Sequence, residues 1–192
     1  MDSNKYVVLR NVIDKQTLDI LKIQSKLLEK QKCFKLNKYP QDYPFGDVQC
    51  PTSFSSYGVL CFEALLLLLL PLVEEQTGKE LLPTYSYMRI YYKNSILEKH
   101  LDRPSCEYSA TICISTTEKP WDIFFKKKCE TEVCVSLNPG DLIIYQGQEL
   151  EHWREKYDGS EQIQVFLHYV DKNGVNANLL YDKRPFIGIE KQ

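Results

Sequence analysis

The hydrophobic rhythm of the chain changes near residue 84. Up to that point apolar positions recur at helical spacing, and beyond it they alternate in short runs. A short strand, "YVVLR" (6–10), comes first. In "VIDKQTLDILKIQSKLLEKQ", Asp14 can cap a helix whose apolar stripe is Leu18, Leu21 and Leu28 with Ile20 and Leu27, read as a core-facing stripe. Residues 33–57 show no period and are rich in Pro, Tyr, Ser and Asp, which predicts a long loop of the kind used for lids and binding. "GVLCFEALLLLLLPLVEEQTGKE" then predicts a helix buried between a sheet and other helices, with Gly78 as its C-terminal cap. Glu63 and Pro71 interrupt its apolar run, which falls short of the ~20 residues a membrane span needs.

After residue 84 come "TYSYMRIYY", "EYSATICIS", "WDIFF", "EVCVSL", "DLIIYQG" and "IQVFLHYV", separated by turn signals such as "NPGD" and "YDGS". "KKK" at 126–128 reads as a solvated hairpin tip. Helices first and regularly spaced strands afterwards predict a mainly β fold with flanking α-helices, a jelly-roll (double-stranded β-helix, cupin-like) core. The expected organisation is one domain. It comprises an N-terminal strand, helices and loop (1–83), the jelly-roll core (84–171) and a C-terminal tail (172–192), the loop and tail forming rims of a substrate mouth.

Composition narrows the partners. At 192 residues with a formal net charge of -2, the chain has no uniform positive field to recruit nucleic acid or an anionic membrane. Its seven cysteines, at 33, 50, 61, 106, 113, 129 and 134, are odd in number and contain no C-x-x-C. Reduced thiols in a cytoplasmic protein are the expectation, and the N-terminus has no apolar signal core.

The chemistry concentrates in the histidines, of which there are three. In "KHLD", His100 and Asp102 stand two apart, so an extended backbone turns both to the same face. His152 follows the strand "GDLIIYQG", which could return it beside that pair. An H-x-D alone arises by chance; two His and one carboxylate together are the facial ligand set of non-haem Fe(II) oxygenases. His168, on an alternating aromatic strand, reads as a core or pocket histidine and not a fourth ligand.

Several segments resemble the Fe(II)/2-oxoglutarate-dependent oxygenases, in particular the prolyl 4-hydroxylase-like branch and an uncharacterised microbial and viral subgroup of it. They are "YMRIYYKNSILEKHLD", "EYSATICIS", "VSLNPGDLIIYQGQELEHWRE" and "QIQVFLHYVD", and together they cover about residues 84–171. The resemblance implies that His100, Asp102 and His152 bind Fe(II) and that 2-oxoglutarate and O2 are co-substrates. An unactivated C–H bond would be hydroxylated with release of succinate and CO2. The substrate would be a protein or peptide side chain or an amino-acid-like small molecule. Tyr91 or Tyr92 matches the tyrosine that hydrogen-bonds 2-oxoglutarate.

One position departs from that pattern. The family places Arg or Lys about ten residues past the distal His, to meet the far carboxylate of 2-oxoglutarate, and here that residue is Gln162. A buried dicarboxylate calls for a charge-assisted partner. Arg154 shares a face with His152 if the segment is extended. Arg89 shares one with Tyr87 and Tyr91. Arg103 follows Asp102 directly and could reach substrate at the mouth. A non-catalytic jelly-roll module with a residual metal site, and a metal cupin enzyme that does not use 2-oxoglutarate, are the alternative readings.

Overall fold

The structure, a computed structural model, describes residues 5–36, 46–126 and 131–189. Among the described residues ten strands form two antiparallel sheets. β1 (Tyr6–Leu9), β2 (Phe54–Tyr57), β3 (Leu81–Tyr92), β5 (Tyr108–Thr116), β8 (Leu142–Tyr145) and β10 (Glu161–Asp171) make a six-stranded sheet in the order β1-β8-β5-β10-β3-β2. β4 (Leu97–His100), β6 (Ile123–Lys126), β7 (Glu132–Val135) and β9 (His152–Arg154) make a four-stranded sheet in the order β4-β9-β6-β7. The jelly-roll core expected from the strand spacing is present.

Strand alternation gives the large sheet two different faces. Met88, Ile90, Ala110, Ile112, Leu142, Ile144, Val165 and Leu167 pack in one core with Leu21, Phe62, Leu66 and Val73 of helices α1 (Lys15–Lys35) and α2 (Leu60–Thr77). Each Val, Leu, Ile, Phe or Met side chain fully buried here stabilises the fold by about 1.5–3 kcal/mol. The opposite face turns toward the small sheet. It carries Cys113, Ile143 and Tyr145 against Ile123, Phe125 and Val135, and it also carries buried Ser109, Thr111, Gln162 and Gln164.

Local signals set the helix ends. Asp14 caps α1 by accepting from the Thr17 N–H at 3.0 Å, and Gly78 ends α2 in the left-handed region at φ 69°. Among the described residues, no helix is long and apolar enough to cross a membrane.

Three expectations need correction. First, α1 runs on to Lys35 and Phe54–Tyr57 form a strand, so the unstructured stretch is shorter than 33–57; residues 37–45 lie outside the described residues. Second, Ile20 and Leu27 are exposed. With Ile23 they sit on the solvent side, because Leu18, Leu21, Ser25 and Glu29 set the inward face. Third, α2 is not enclosed. Leu60, Leu67 and Leu68 are exposed, because the helix lies on the sheet and no described element packs across these positions. Pro71 sits within α2 on that outer side, where the carbonyl it leaves unbonded can take water. The "KKK" tip lies mostly outside the described residues; Lys126 ends β6.

The C-terminal tail is fastened by a buried ion pair. Glu63 of α2 accepts from Arg184 Nη2 at 2.9 Å, the Ser86 N–H at 2.7 Å and the Gly188 N–H at 3.0 Å. Both charged side chains are fully buried. Removing one partner strands the other charge, so Arg184→Met should destabilise the protein by about 3–5 kcal/mol, with a smaller loss in Glu63→Gln/Arg184→Met. Urea unfolding of the two variants measures the difference.

Candidate metal centre and its cavity

The register of the small sheet assembles the site. β4 pairs antiparallel with β9, and His100 is the direct cross-strand partner of His152. Their rings lie 4.2 Å apart, centroid to centroid. Just past the end of β4, the Asp102 N–H donates to the Gly147 carbonyl at 2.9 Å, which turns the carboxylate in toward the two rings. Asp102 Oδ1 is 3.7 Å from Nε2 of each histidine.

The tautomers suit a metal. His100 Nδ1 is 2.8 Å from the Glu98 carbonyl and His152 Nδ1 is 2.9 Å from the Leu150 carbonyl. A carbonyl can only accept, so each ring proton sits on Nδ1 and each Nε2 lone pair faces the convergence point. Burial pushes the His152 pKa down, which keeps that ring neutral. Asp102 Oδ2 accepts from Ser109 Oγ at 2.9 Å, leaving Oδ1 for the ion. A first-row divalent ion lies about 2.0–2.2 Å from such donors, and these three atoms are spaced to share one. His100, Asp102 and His152, paired in the sequence by spacing alone, are brought together.

Gly147 makes this approach possible. A Cβ there would collide with the Asp102 carboxylate and with the Cys106 carbonyl oxygen. Neither Gly147 nor Ser109 stood out in the sequence. Ser109, Thr111 and Cys113 do form a row of small side chains on alternate positions of β5, which is a signal of an inward face next to something bulky or polar.

The triad stands at the edge of a cavity of about 380 Å³. Tyr145 lines it, its hydroxyl 3.5 Å from His152 Nε2 and 3.4 Å from Thr111 Oγ1. Tyr57, Tyr85, Tyr87, Arg89, Arg103, Phe166 and His168 complete most of the wall. Asp47 and Gln49 of the loop line it, while the tail reaches its wall through Asp182. Asp47 of the loop accepts from the Tyr87 hydroxyl at 2.7 Å and from Arg89, and Asp182 of the tail takes a two-pronged contact from Arg103 at 2.7 and 3.0 Å. The Arg103 guanidinium also lies over the Tyr85 ring, 4.4 Å from its centroid. Asp47 and Asp182 gave no signal in the sequence, where each is one acid among many.

Arg154 is in a different situation. It is fully buried on β9, two residues past His152, and donates through Nη1 to the Trp121 carbonyl. Among the described residues its Nε and Nη2 have no partner. Gln162 receives the Trp121 N–H on Oε1 at 2.8 Å, and its Nε2 is unpartnered. Gln164, missed in the sequence, is fully buried with both amide atoms unpartnered. Tyr91, not Tyr92, faces this interior. Tyr91 packs edge-on against Trp121 at 4.8 Å, while the Tyr92 hydroxyl turns outward to Glu29 of α1.

No family model matches the sequence, and no curated protein matches it in sequence. Solved structures do match the fold. HygX from Streptomyces hygroscopicus, with nickel and 2-oxoglutarate bound, superposes with a TM-score of 0.65 at 14% identity, covering 90% of this chain and 85% of that one. A prolyl-4-hydroxylase from Pseudomonas putida gives 0.62 at 11% identity, covering 88% and 93%. The viral collagen prolyl hydroxylase of Paramecium Bursaria Chlorella virus-1, in complex with 2-oxoglutarate, gives 0.61 at 10% identity, covering 86% and 95%. This chain has the fold of the 2-oxoglutarate/Fe(II) oxygenases. In that fold the ends of β4 and β9 carry the His100, Asp102 and His152 cluster described above.

Two outcomes are expected. Gly147→Ala should weaken Zn(II) or Co(II) binding about tenfold or more, read by titration calorimetry, because its Cβ displaces Asp102. The second concerns His168, whose pKa burial pushes down to about 4 from 6.5. Between those values the unfolded chain binds a proton that the native state does not. Stability is therefore full above pH 6.5, falls as the pH drops toward 4, and loses about 3 kcal/mol from this group. His168→Gln should remove one proton's worth of slope from that window in unfolding measured against pH.

Proposed function

We propose that this chain is an Fe(II)- and 2-oxoglutarate-dependent oxygenase that hydroxylates an unactivated C–H bond. The observation that carries the reading is the convergence of His100 Nε2, Asp102 Oδ1 and His152 Nε2 at the edge of an open cavity. When bound, iron with 2-oxoglutarate and dioxygen supplies the oxidation: the co-substrate leaves as succinate and CO2, and one oxygen atom enters the C–H bond.

The protein's part is to hold and orient. His100, Asp102 and His152 would hold the ion, and the cavity they border would receive the reactants. Arg154 supplies the cation that Gln162 lacks. Its free Nε and Nη2 form one edge of the guanidinium fork, the edge that grips a carboxylate in two parallel bonds. It stands two residues beyond His152 on β9, so on an extended strand the two side chains share a face. The Tyr91 hydroxyl, which accepts from Arg89 at 3.4 Å, keeps its own hydrogen to give, and the free amide N–H groups of Gln162 and Gln164 add donors without a described partner. Without such a partner these buried groups carry an unrepaid desolvation cost, which supports a polar occupant. Arg89 and Tyr87 already hold Asp47, so they belong to the mouth. Arg103 stands beside the substrate with its guanidinium fixed on Tyr85.

A protein side chain or an amino-acid-like small molecule suits a cavity of this size. In this reading residues 1–192 act as one domain, since β1, β2 and the tail all join the structure around the site.

Purified protein with Fe(II) should convert 2-oxoglutarate to succinate slowly without substrate, and His100→Ala should not. Arg154→Leu should raise the KM for 2-oxoglutarate about 10- to 100-fold, the loss of a charge-assisted pair. Arg89→Leu should change it less than about threefold. Wild-type protein that binds the metal but neither binds nor consumes 2-oxoglutarate would sink the proposal.

A further inference from the structure

We propose that His168 is a positioning residue of this site: held with its proton on Nδ1, it steadies Asp102 through Ser109 and presents a bare Nε2 to the cavity, an acceptor for an O–H or N–H of the substrate. The proposal rests on the metal-site reading above and gives the cavity wall a hydrogen-bond acceptor.

The argument is a count of protons. Ser109 Oγ lies 2.9 Å from Asp102 Oδ2, 2.9 Å from His168 Nδ1 and 3.4 Å from the Cys106 carbonyl. A hydroxyl has one hydrogen to give. The carboxylate is the strongest of the three acceptors, and Ser109 is its one side-chain donor among the described residues. With its hydrogen committed to Asp102, Ser109 Oγ turns a lone pair to His168, so Nδ1 must be the protonated nitrogen. A neutral imidazole carries one N–H, and Nε2 is therefore bare.

The geometry holds this arrangement in place. His168 and Ser109 are direct cross-strand partners on β10 and β5. The His168 ring packs on Tyr85 at 4.5 Å, and its carbonyl accepts from Thr84 Oγ1 at 2.9 Å. A register shift on β3 follows between His168 and Tyr169, an irregularity of the kind that re-aims a side chain. A core histidine with a purely structural role would satisfy both ring nitrogens. Here Nε2 has no partner among the described residues, and the ring lines the cavity.

Two measurements test the proposal. In histidine-labelled, Zn(II)-loaded wild-type protein at pH 7, long-range proton–nitrogen NMR should report the Nδ1–H form of His168; the Nε2–H form overturns it. In Zn(II) titrations, Ser109→Ala should weaken binding about tenfold. His168→Leu should weaken it in the same direction, His168→Asn should recover it, and the Ser109→Ala/His168→Leu pair should lose no more than Ser109→Ala alone. Wild-type affinity in Ser109→Ala and His168→Leu overturns the inference, provided His100→Ala has lost the metal. If His100→Ala binds Zn(II) as wild type does, the metal-site reading itself falls. Should a variant fail to fold, the tautomer of the wild-type protein decides the question alone.

Discussion

The pairing of His100 with His152 across two short strands is the constraint on which the site depends. β4 has four residues and β9 three, so few backbone hydrogen bonds fix their register. A slip of one residue would turn a ligand outward, because side chains alternate with a period of two. The surroundings therefore carry the specification. Trp153 stacks on Phe124 at 5.6 Å on the reverse side of β9, and Lys99 lies over the Trp153 ring. The two histidine Nδ1 bonds to backbone carbonyls fix the rings once the strands are aligned. Asp102 comes from the loop beyond β4 and relies on Gly147, whose missing side chain is the space the carboxylate occupies.

A second constraint is the cost of a polar interior. The helix-facing side of the large sheet is apolar and close-packed, while the side facing the small sheet buries an arginine and two glutamines with open valences. Each unpaired buried polar group costs on the order of 1–3 kcal/mol. A fold selected for stability alone would place leucine or valine at Arg154 or Gln164. Stability is thus provided by the helix-side core and spent on the inner face, the trade common at functional sites.

The fold and the His100, Asp102 and His152 cluster were legible in the sequence for the same reason. Both depend on short-range periodicity: alternation identifies strands, and H-x-D puts two ligand-type side chains on one face. The spacing of "ELEHWRE" after "GDLIIYQG" was enough to supply the third. Arg154 was also readable, since a residue two from His152 must share its direction. Long-range partners were not readable. Ser109, Gln164 and Asp182 acquire their roles from strand register and tail placement, which no local pattern encodes. Tyr91 and Tyr92 could not be separated until pairing set which one faced inward. Ile20 and Leu27 were misplaced because α1 carries apolar residues on two faces, and hydrophobicity alone does not say which one meets the sheet.

The tail ties distant parts of the chain to one wall of the cavity. Asp182, near the end of the described chain, clamps Arg103 beside the metal ligands, accepts from Tyr57 and Ser105, and is anchored through Arg184 to Glu63 in the first half of the chain. Tyr181, Asp182 and Lys183 all have positive φ, a backbone course that only these contacts would hold. One wall of the cavity is therefore braced from both halves of the chain, and breaking the Arg184 link to Glu63 would loosen Arg103 as well as the tail.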